Sequence, residues 1–196
     1  MIEAAEMLKI FQKYRGDAVV VATGTGGRHW LDISTNKKLD GPPYWGAMGQ
    51  TVSACLGLAI ARPDIKVVLF DSEGSLLMNL GALATVAGKQ PNNFYHFLMD
   101  NESYATTGGQ PVPSAENISY SGMAAGAGYA STHEFEDIED FANNVEGILS
   151  ETGPVFVAMK IVAEVQNDPI ARRVRPANAR TPLEAITELR ATLASS

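Results

Sequence analysis

The chain has 196 residues, 45% of them apolar and 19% charged, with a formal net charge of −7 and an isoelectric point near 4.9. That length suits one domain with a sizeable core. The acidic balance, with no Lys/Arg run longer than a pair such as Lys37-Lys38, repels nucleic acid and anionic lipid and excludes both as partners. A phosphate site here must rest on backbone amides, a helix end or a metal. No apolar run approaches the roughly 18 to 20 residues of a membrane span, and the N-terminus lacks a signal-peptide pattern, so a cytoplasmic protein is expected. The single cysteine, Cys55, lies in an apolar stretch, where a buried small hydrophobe is the expected role.

In chain order, Ile2 to Tyr14 carries apolar residues at helical spacing. Ala18 to Ala22 is apolar and β-branched, hence a first strand, running into the glycine-rich turn Thr23-Gly24-Thr25-Gly26-Gly27. Tyr44 to Gly49 is expected to be a short extended piece, and Thr51 to Ala61 a small-residue helix. Lys66 to Phe70 predicts the next strand and Ser75 to Gly88 the helix after it. Asn93 to Met99 is a third strand; the polar, Gly/Pro-rich stretch Glu102 to Asn117 predicts a loop. Helices are expected over Tyr120 to Tyr129 and Asp137 to Leu149, and a last strand over Val155 to Val162.

Continuous apolar strands alternating with helices predict an α/β fold, a parallel sheet flanked by helices on both faces. One domain is expected over residues 1–165. Residues 166–196 read as an arm followed by a helix, because Gln166 to Arg180 is rich in proline and arginine. Thr181-Pro182-Leu183-Glu184 then gives an N-cap, a proline at the first helical position and a capping-box glutamate. Leu183, Ile186, Leu189 and Leu193 share a face, which packs on this domain or on a neighbour.

Ligands of such sheets sit at the carboxyl ends of the strands. Here those ends are Thr23-Gly24, Asp71 to Gly74 and Asp100-Asn101. An acid at a helix start is ordinary, because the first amides are unpaired and the macrodipole favours negative charge. Two acids beside Ser72 and Gly74 leave room for a metal. One helix and one strand fill Ser75 to Met99, so the crossover returns Asn101 beside Glu73. A carboxylate, an amide oxygen and a backbone carbonyl are hard ligands suited to Mg²⁺.

This arrangement resembles the motif of thiamine-diphosphate enzymes: Gly-Asp-Gly, some two dozen residues, then a pair ending in Asn. The run "GAMGQTVSACLGLAIARPDIKVVLFDSEGSLLMNLGALATVAGKQPNNFYHFLMDNESYATTGGQ" is similar to the diphosphate-binding (PP-type) domain of the sulfopyruvate and phosphonopyruvate decarboxylases. "VVATGTGGRHW" fits the first strand and turn of that group, and the similarity covers most of residues 17 to 163.

The resemblance implies that Glu73, the Asn101 side-chain oxygen and the Ser103 carbonyl hold the metal. Ser72, Gly74 and Ser75 would donate to the diphosphate, with Thr23, Gly24 and Thr25 nearby. Gly46 would offer its carbonyl to the cofactor's exocyclic amine, and Met48 would wedge under the bent cofactor. The stretch from Tyr104 and Ala105 to Gln110 would close over the site. Arg28 aligns with an arginine of the decarboxylases and reads either as a partner for a substrate anion or as a surface salt bridge. His29 replaces an acid of that group; it is either a substrate-side catalytic group or a solvated loop histidine. His96, between aromatics in a strand, reads as structural.

One departure stands out: the family's aspartate is Glu73 here, and its first glycine is Ser72. Glutamate reaches about 1.5 Å further, and Mg²⁺ tolerates little error in distance. The backbone can sit back, a larger cation such as Ca²⁺ or Mn²⁺ can be taken, or Asp71 can serve instead. Glu73 is favoured because it keeps register with Gly74 and Asn101, leaving Asp71 to bind local amides.

In this family a glutamate from a separate pyrimidine-binding (PYR-type) domain completes the site, and nothing in this chain reads as that domain. The resemblance therefore implies a partner subunit, two of each, and a small 2-oxo acid substrate that loses carbon dioxide. The fold also serves carboligases, and an inactive cofactor-binding regulatory subunit is a further alternative. No cysteine pattern for an iron–sulfur cluster is present.

Overall fold

A computed structural model describes residues 1–42, 48–169, 172–174 and 176–195. Its centre is a five-stranded, all-parallel sheet built from β1 (Val19–Ala22), β2 (Val67–Ser72), β3 (Phe94–Asp100), β6 (Ser131–Phe135) and β7 (Val155–Lys160), in the spatial order β1-β2-β3-β7-β6. Register carries Val21 opposite Leu69, Leu69 opposite His96 and His96 opposite Phe156. Strands β1, β2, β3 and β7 are almost wholly buried, as expected where helices cover both faces.

On one face α1 (Ala4–Tyr14), α2 (Gly24–Ile33) and α7 (Ile138–Ile148) pack Met7, Leu8, Phe11, Trp30, Phe141 and Val145 onto Val68, Phe70, Phe97 and Val157. The Phe11 ring meets Phe70 edge-on at 4.9 Å between centroids, a favoured aromatic geometry. On the other face lie α3 (Thr51–Ala61), α4 (Glu73–Leu77), α5 (Gly81–Lys89) and α6 (Tyr120–Ala127). Their Val52, Cys55, Leu76, Leu83, Val86 and Ala124 meet Leu69, Leu98 and Phe156. Cys55 is buried, as expected.

The last helix, α8 (Pro182–Ala194), starts with the expected capping box, Thr181 and Glu184 each bonding to the other's backbone. It packs on this domain, where Leu189 joins Val19 and Leu39. Leu183 is not on that face: it is 74% exposed, and Ala185 is buried instead. No helix among the described residues is long and apolar enough to cross a membrane.

Four further expectations change. The glycine-rich turn expected after β1 is the N-cap and first turn of α2. A Cβ on Gly27 would lie 2.8 Å from the Ala22 carbonyl oxygen, so the missing side chain lets α2 lie close on the strand it follows. The helix expected over Ser75 to Gly88 is two helices, broken at Met78 to Leu80. The loop from Glu102 contains a small antiparallel pair, β4 (Ser103–Tyr104) with β5 (Gln110–Pro111). Finally, β6 is an unforeseen strand. Of the extended piece expected over Tyr44 to Gly49, residues 43–47 lie outside the described residues, and Met48 to Gln50 form a turn.

Candidate active site

The carboxyl ends of β1, β2 and β3 open into one cavity, whose lining includes Thr23, Gly24, Met48, Ser72, Ser75 and Asn101. Thr25, Gly74, Ser103, Tyr104 and Ala105 line it too, and Thr51, Thr106 and Thr107 join them; the expected Glu73 is not among the lining residues but lies buried between Ser72 and Gly74, which are. The parallel register alone explains the convergence, since it brings all strand ends to one edge.

Glu73 opens α4 directly after β2, and its side chain has no exposure to solvent. Its Oε1 accepts the Ser103 backbone N–H at 3.0 Å. The same N–H reaches Asn101 Oδ1, also at 3.0 Å, and the Ser103 hydroxyl donates to that Oδ1 at 3.1 Å. The acid after the second strand and the amide after the third therefore aim at one point. Glu73 Oε2 is buried and has no hydrogen-bond partner. Burial pushes the Glu73 carboxyl from 4.5 up to about 7, opposed by its own backbone amide, helped by the Asp100 charge, and opposed again by the amides of Ser103 and Asn101. An orphaned carboxylate oxygen beside an amide oxygen is a donor set that fits a divalent cation. Asp71 Oδ2 and the Tyr120 hydroxyl are likewise buried without a hydrogen-bond partner, the Tyr120 hydroxyl pushed upward by burial first and then by the charges of Asp100 and Glu73.

Asp71 goes elsewhere. It is fully buried, with Oδ1 3.4 Å from the Thr23 hydroxyl and Oδ2 3.6 Å from His96 Nε2. The expectation that it binds local amides is corrected: it faces two side chains across the sheet. His96, wholly buried, has its other nitrogen 3.3 Å from the Tyr129 hydroxyl.

Around the acid sits a tight cradle. Ser72 caps α4, its hydroxyl accepting from the Ser75 N–H at 3.4 Å. A Cβ on Gly74 would fall 2.7 Å from the Tyr104 ring, so glycine is what lets that ring lie over the turn. Ser75 Oγ accepts the Gly49 N–H at 3.1 Å, which leaves the hydroxyl proton free for an anion in the cavity. Asn79 holds the same residue through its other backbone group, donating to the Gly49 carbonyl at 2.9 Å. These two bonds fix the turn that carries Met48, which is 47% exposed at the cavity. Gly46 lies outside the described residues. Sequence reasoning missed Asn79, although an amide after the apolar run Leu76-Leu77-Met78 is a visible signal.

The remaining candidates are engaged by the chain itself. Thr23 turns its hydroxyl back to the Phe70 carbonyl at 3.2 Å. Arg28 donates to the Thr25 hydroxyl at 3.0 Å and lies 3.6 Å from the Glu164 carboxylate. His29 is on α2 rather than in a loop, 2.7 Å from the same carboxylate. Neither Arg28 nor His29 lines the cavity that Glu73 and Asn101 adjoin; Arg28 lines a neighbouring one, beside Arg173 and Arg180.

Residues 18–159 match the thiamine pyrophosphate enzyme family, C-terminal TPP-binding domain. The chain belongs to that family. Within the TPP enzymes it is homologous to the phosphonopyruvate decarboxylase of Streptomyces hygroscopicus, 34% identical over 168 residues, covering 81% of this chain and 41% of that protein. It is likewise homologous to sulfopyruvate decarboxylase subunit beta of Methanococcus maripaludis, 31% identical over 165 residues, covering 84% and 86%. The benzoylformate decarboxylase of Polynucleobacter necessarius shares the fold, with a TM-score of 0.69 at 15% identity over 83% of this chain and 33% of that one. The chain spans about half the length of the first curated relatives it matches, from 41% to 59%. Both the parallel-sheet expectation and the family resemblance are borne out.

Proposed function

We propose that this chain is the diphosphate-binding subunit of a thiamine-diphosphate- and Mg²⁺-dependent 2-oxo acid decarboxylase, completed by a separate pyrimidine-binding subunit. The observation that carries the reading is the shared aim of Glu73 Oε1 and Asn101 Oδ1 at the Ser103 amide, each at 3.0 Å, with Glu73 Oε2 buried and unpartnered. When bound, the cofactor supplies the electron sink that lets carbon dioxide leave a 2-oxo acid.

The chain's own residues bind and orient. Glu73, Asn101 and the Ser103 carbonyl hold the cation, with Mg²⁺ preferred and Ca²⁺ or Mn²⁺ as larger substitutes. Ser72, Gly74 and Ser75 face the diphosphate with amides and one free hydroxyl proton, and Thr23 to Thr25 flank it. Met48 would support the cofactor from its anchored turn, and Gly46 would accept from its exocyclic amine. Tyr104 and Ala105 keep water from the buried carboxylate. Arg28, held by Glu164 on a neighbouring cavity, would offer the positive charge for a substrate anion, with His29 beside it on the same carboxylate.

Names of relatives support a divided enzyme, since three of them are beta subunits. An assembly of two chains of each kind and a cytoplasmic setting complete the proposal. The test is to purify the chain with whatever subunit accompanies it and follow product from 2-oxo acids, with and without thiamine diphosphate. Cofactor-dependent release of carbon dioxide and an aldehyde is the expected result. A hydroxyketone product would instead mark a carboligase, and bound cofactor without turnover a regulatory subunit.

A further inference from the structure

Asn101 sits between two acids, Asp100 and Glu102, and a single lysine from a neighbouring strand holds both. Lys160 is the last residue of β7 and lies opposite Asp100 in the register of β3 with β7. Its Nζ is 2.8 Å from Asp100 Oδ2 and 2.7 Å from Glu102 Oε1. Asp100 is 3% exposed, and its other oxygen accepts the Glu102 N–H at 3.2 Å. Glu102 has φ +62°, a left-handed conformation that side-chain-bearing residues rarely adopt without support. The reversal at Glu102 is what returns the Ser103 N–H to both Asn101 Oδ1 and Glu73 Oε1.

We infer that Lys160 is a positioning residue for the cation site: by clamping the two acids that flank Asn101, it holds the turn that aims Asn101 and Ser103 at Glu73. The inference rests on the reading of that cluster as the cation site. Without the ammonium group, Asp100 and Glu102 repel each other across the turn, and Asp100 becomes a buried charge with no counter-ion. The turn then relaxes or Asp100 swings toward the incoming cation, and either outcome spoils the geometry a small ion demands. Outer-layer partners of metal ligands commonly matter by 10- to 100-fold in metal affinity.

The test is isothermal titration of Mg²⁺ at saturating thiamine diphosphate into the complex of this chain with its partner subunit. Lys160→Met is expected to need at least tenfold more Mg²⁺ for half-saturation and to reach the wild-type cofactor stoichiometry once Mg²⁺ is raised. Lys160→Arg, which keeps the charge, is expected to stay within about threefold. Glu102→Gln removes half the clamp at a partly exposed side chain and is expected to weaken Mg²⁺ three- to tenfold; it decides the matter if Lys160→Met does not fold. Mg²⁺ half-saturation within twofold of wild type in Lys160→Met, or in Glu102→Gln where only that variant folds, overturns the positioning role while leaving the proposed function standing. A wild-type complex that binds no Mg²⁺ with the cofactor overturns both.

Discussion

Asp40 and Glu73 are both buried acids near strand ends, yet the fold treats them in opposite ways. Asp40, which bridges to Val20 at the edge of β1, receives the Arg15 guanidinium at 2.8 Å and the Trp30 indole N–H at 2.9 Å. Glu73 has no cationic side chain within ion-pair distance among the described residues, and one of its oxygens bonds to nothing. Burying a carboxylate without a counter-ion is costly. The contrast teaches that the first acid is neutralised by the fold, whereas the second is buried without a counter-ion among the described residues, the charge that the proposed cation would supply.

The largest test of that contrast is to take the counter-ion from Asp40. Arg15→Ala leaves a buried charge unpaired and should cost about 3–5 kcal/mol, read from urea unfolding. A loss below about 1 kcal/mol would show that Asp40 does not depend on Arg15 and would erase the difference between the two acids.

Next comes the pH dependence of the cation-free protein. The Glu73 carboxyl titrates at about 7 in the fold against an ordinary 4.5, so between those values the folded state holds more protons than the unfolded one. Stability from this group therefore falls as pH rises from about 4.5 to 7, by about 3 kcal/mol in all. Unfolding in EDTA should show this slope in wild type and lack it in Glu73→Gln. Parallel curves would mean that Glu73 is not the stressed group.

Smaller effects sharpen the cradle. Gly74→Ala sets a methyl 2.7 Å from the Tyr104 ring and should cost about 1–3 kcal/mol by overpacking, most of it recovered in a double variant with Tyr104→Leu. Non-recovery would place the strain elsewhere. Ser75→Ala removes one acceptor for the Gly49 N–H and should cost about 1 kcal/mol, measured by thermal unfolding; no change at all would mean that water replaces the hydroxyl.

Much of this was legible in the sequence, for physical reasons. Buried parallel strands have to be apolar on both faces, and Val67 to Phe70 and Phe94 to Leu98 announce themselves that way. Glu73 and Asn101 were paired because a single crossover fixes where the chain returns. What stayed hidden depends on neighbours that periodicity does not see. The strand at Ser131–Phe135 is a half-exposed edge, and its mostly polar sequence Ser-Thr-His-Glu-Phe gives no apolar run to mark it. The α2 start was obscured because Gly24, Gly26 and Gly27 have low helix propensity; closeness to Met99 and Ala22 explains Gly26 and Gly27, and a φ of +53° explains Gly24. Lys160 falls inside the run Val155 to Val162 with no signal of its own; its meaning comes from lying opposite Asp100 in the sheet.

The central claim is that Glu73, not Asp71, grips the cation with Asn101. Isothermal titration of Mg²⁺ with thiamine diphosphate into Glu73→Ala and Asp71→Ala, each in complex with the partner subunit, tests it directly. The account predicts that Glu73→Ala loses cation-dependent cofactor binding by about 100-fold or more, whereas Asp71→Ala, if folded, keeps it. Wild-type affinity in Glu73→Ala would contradict the account.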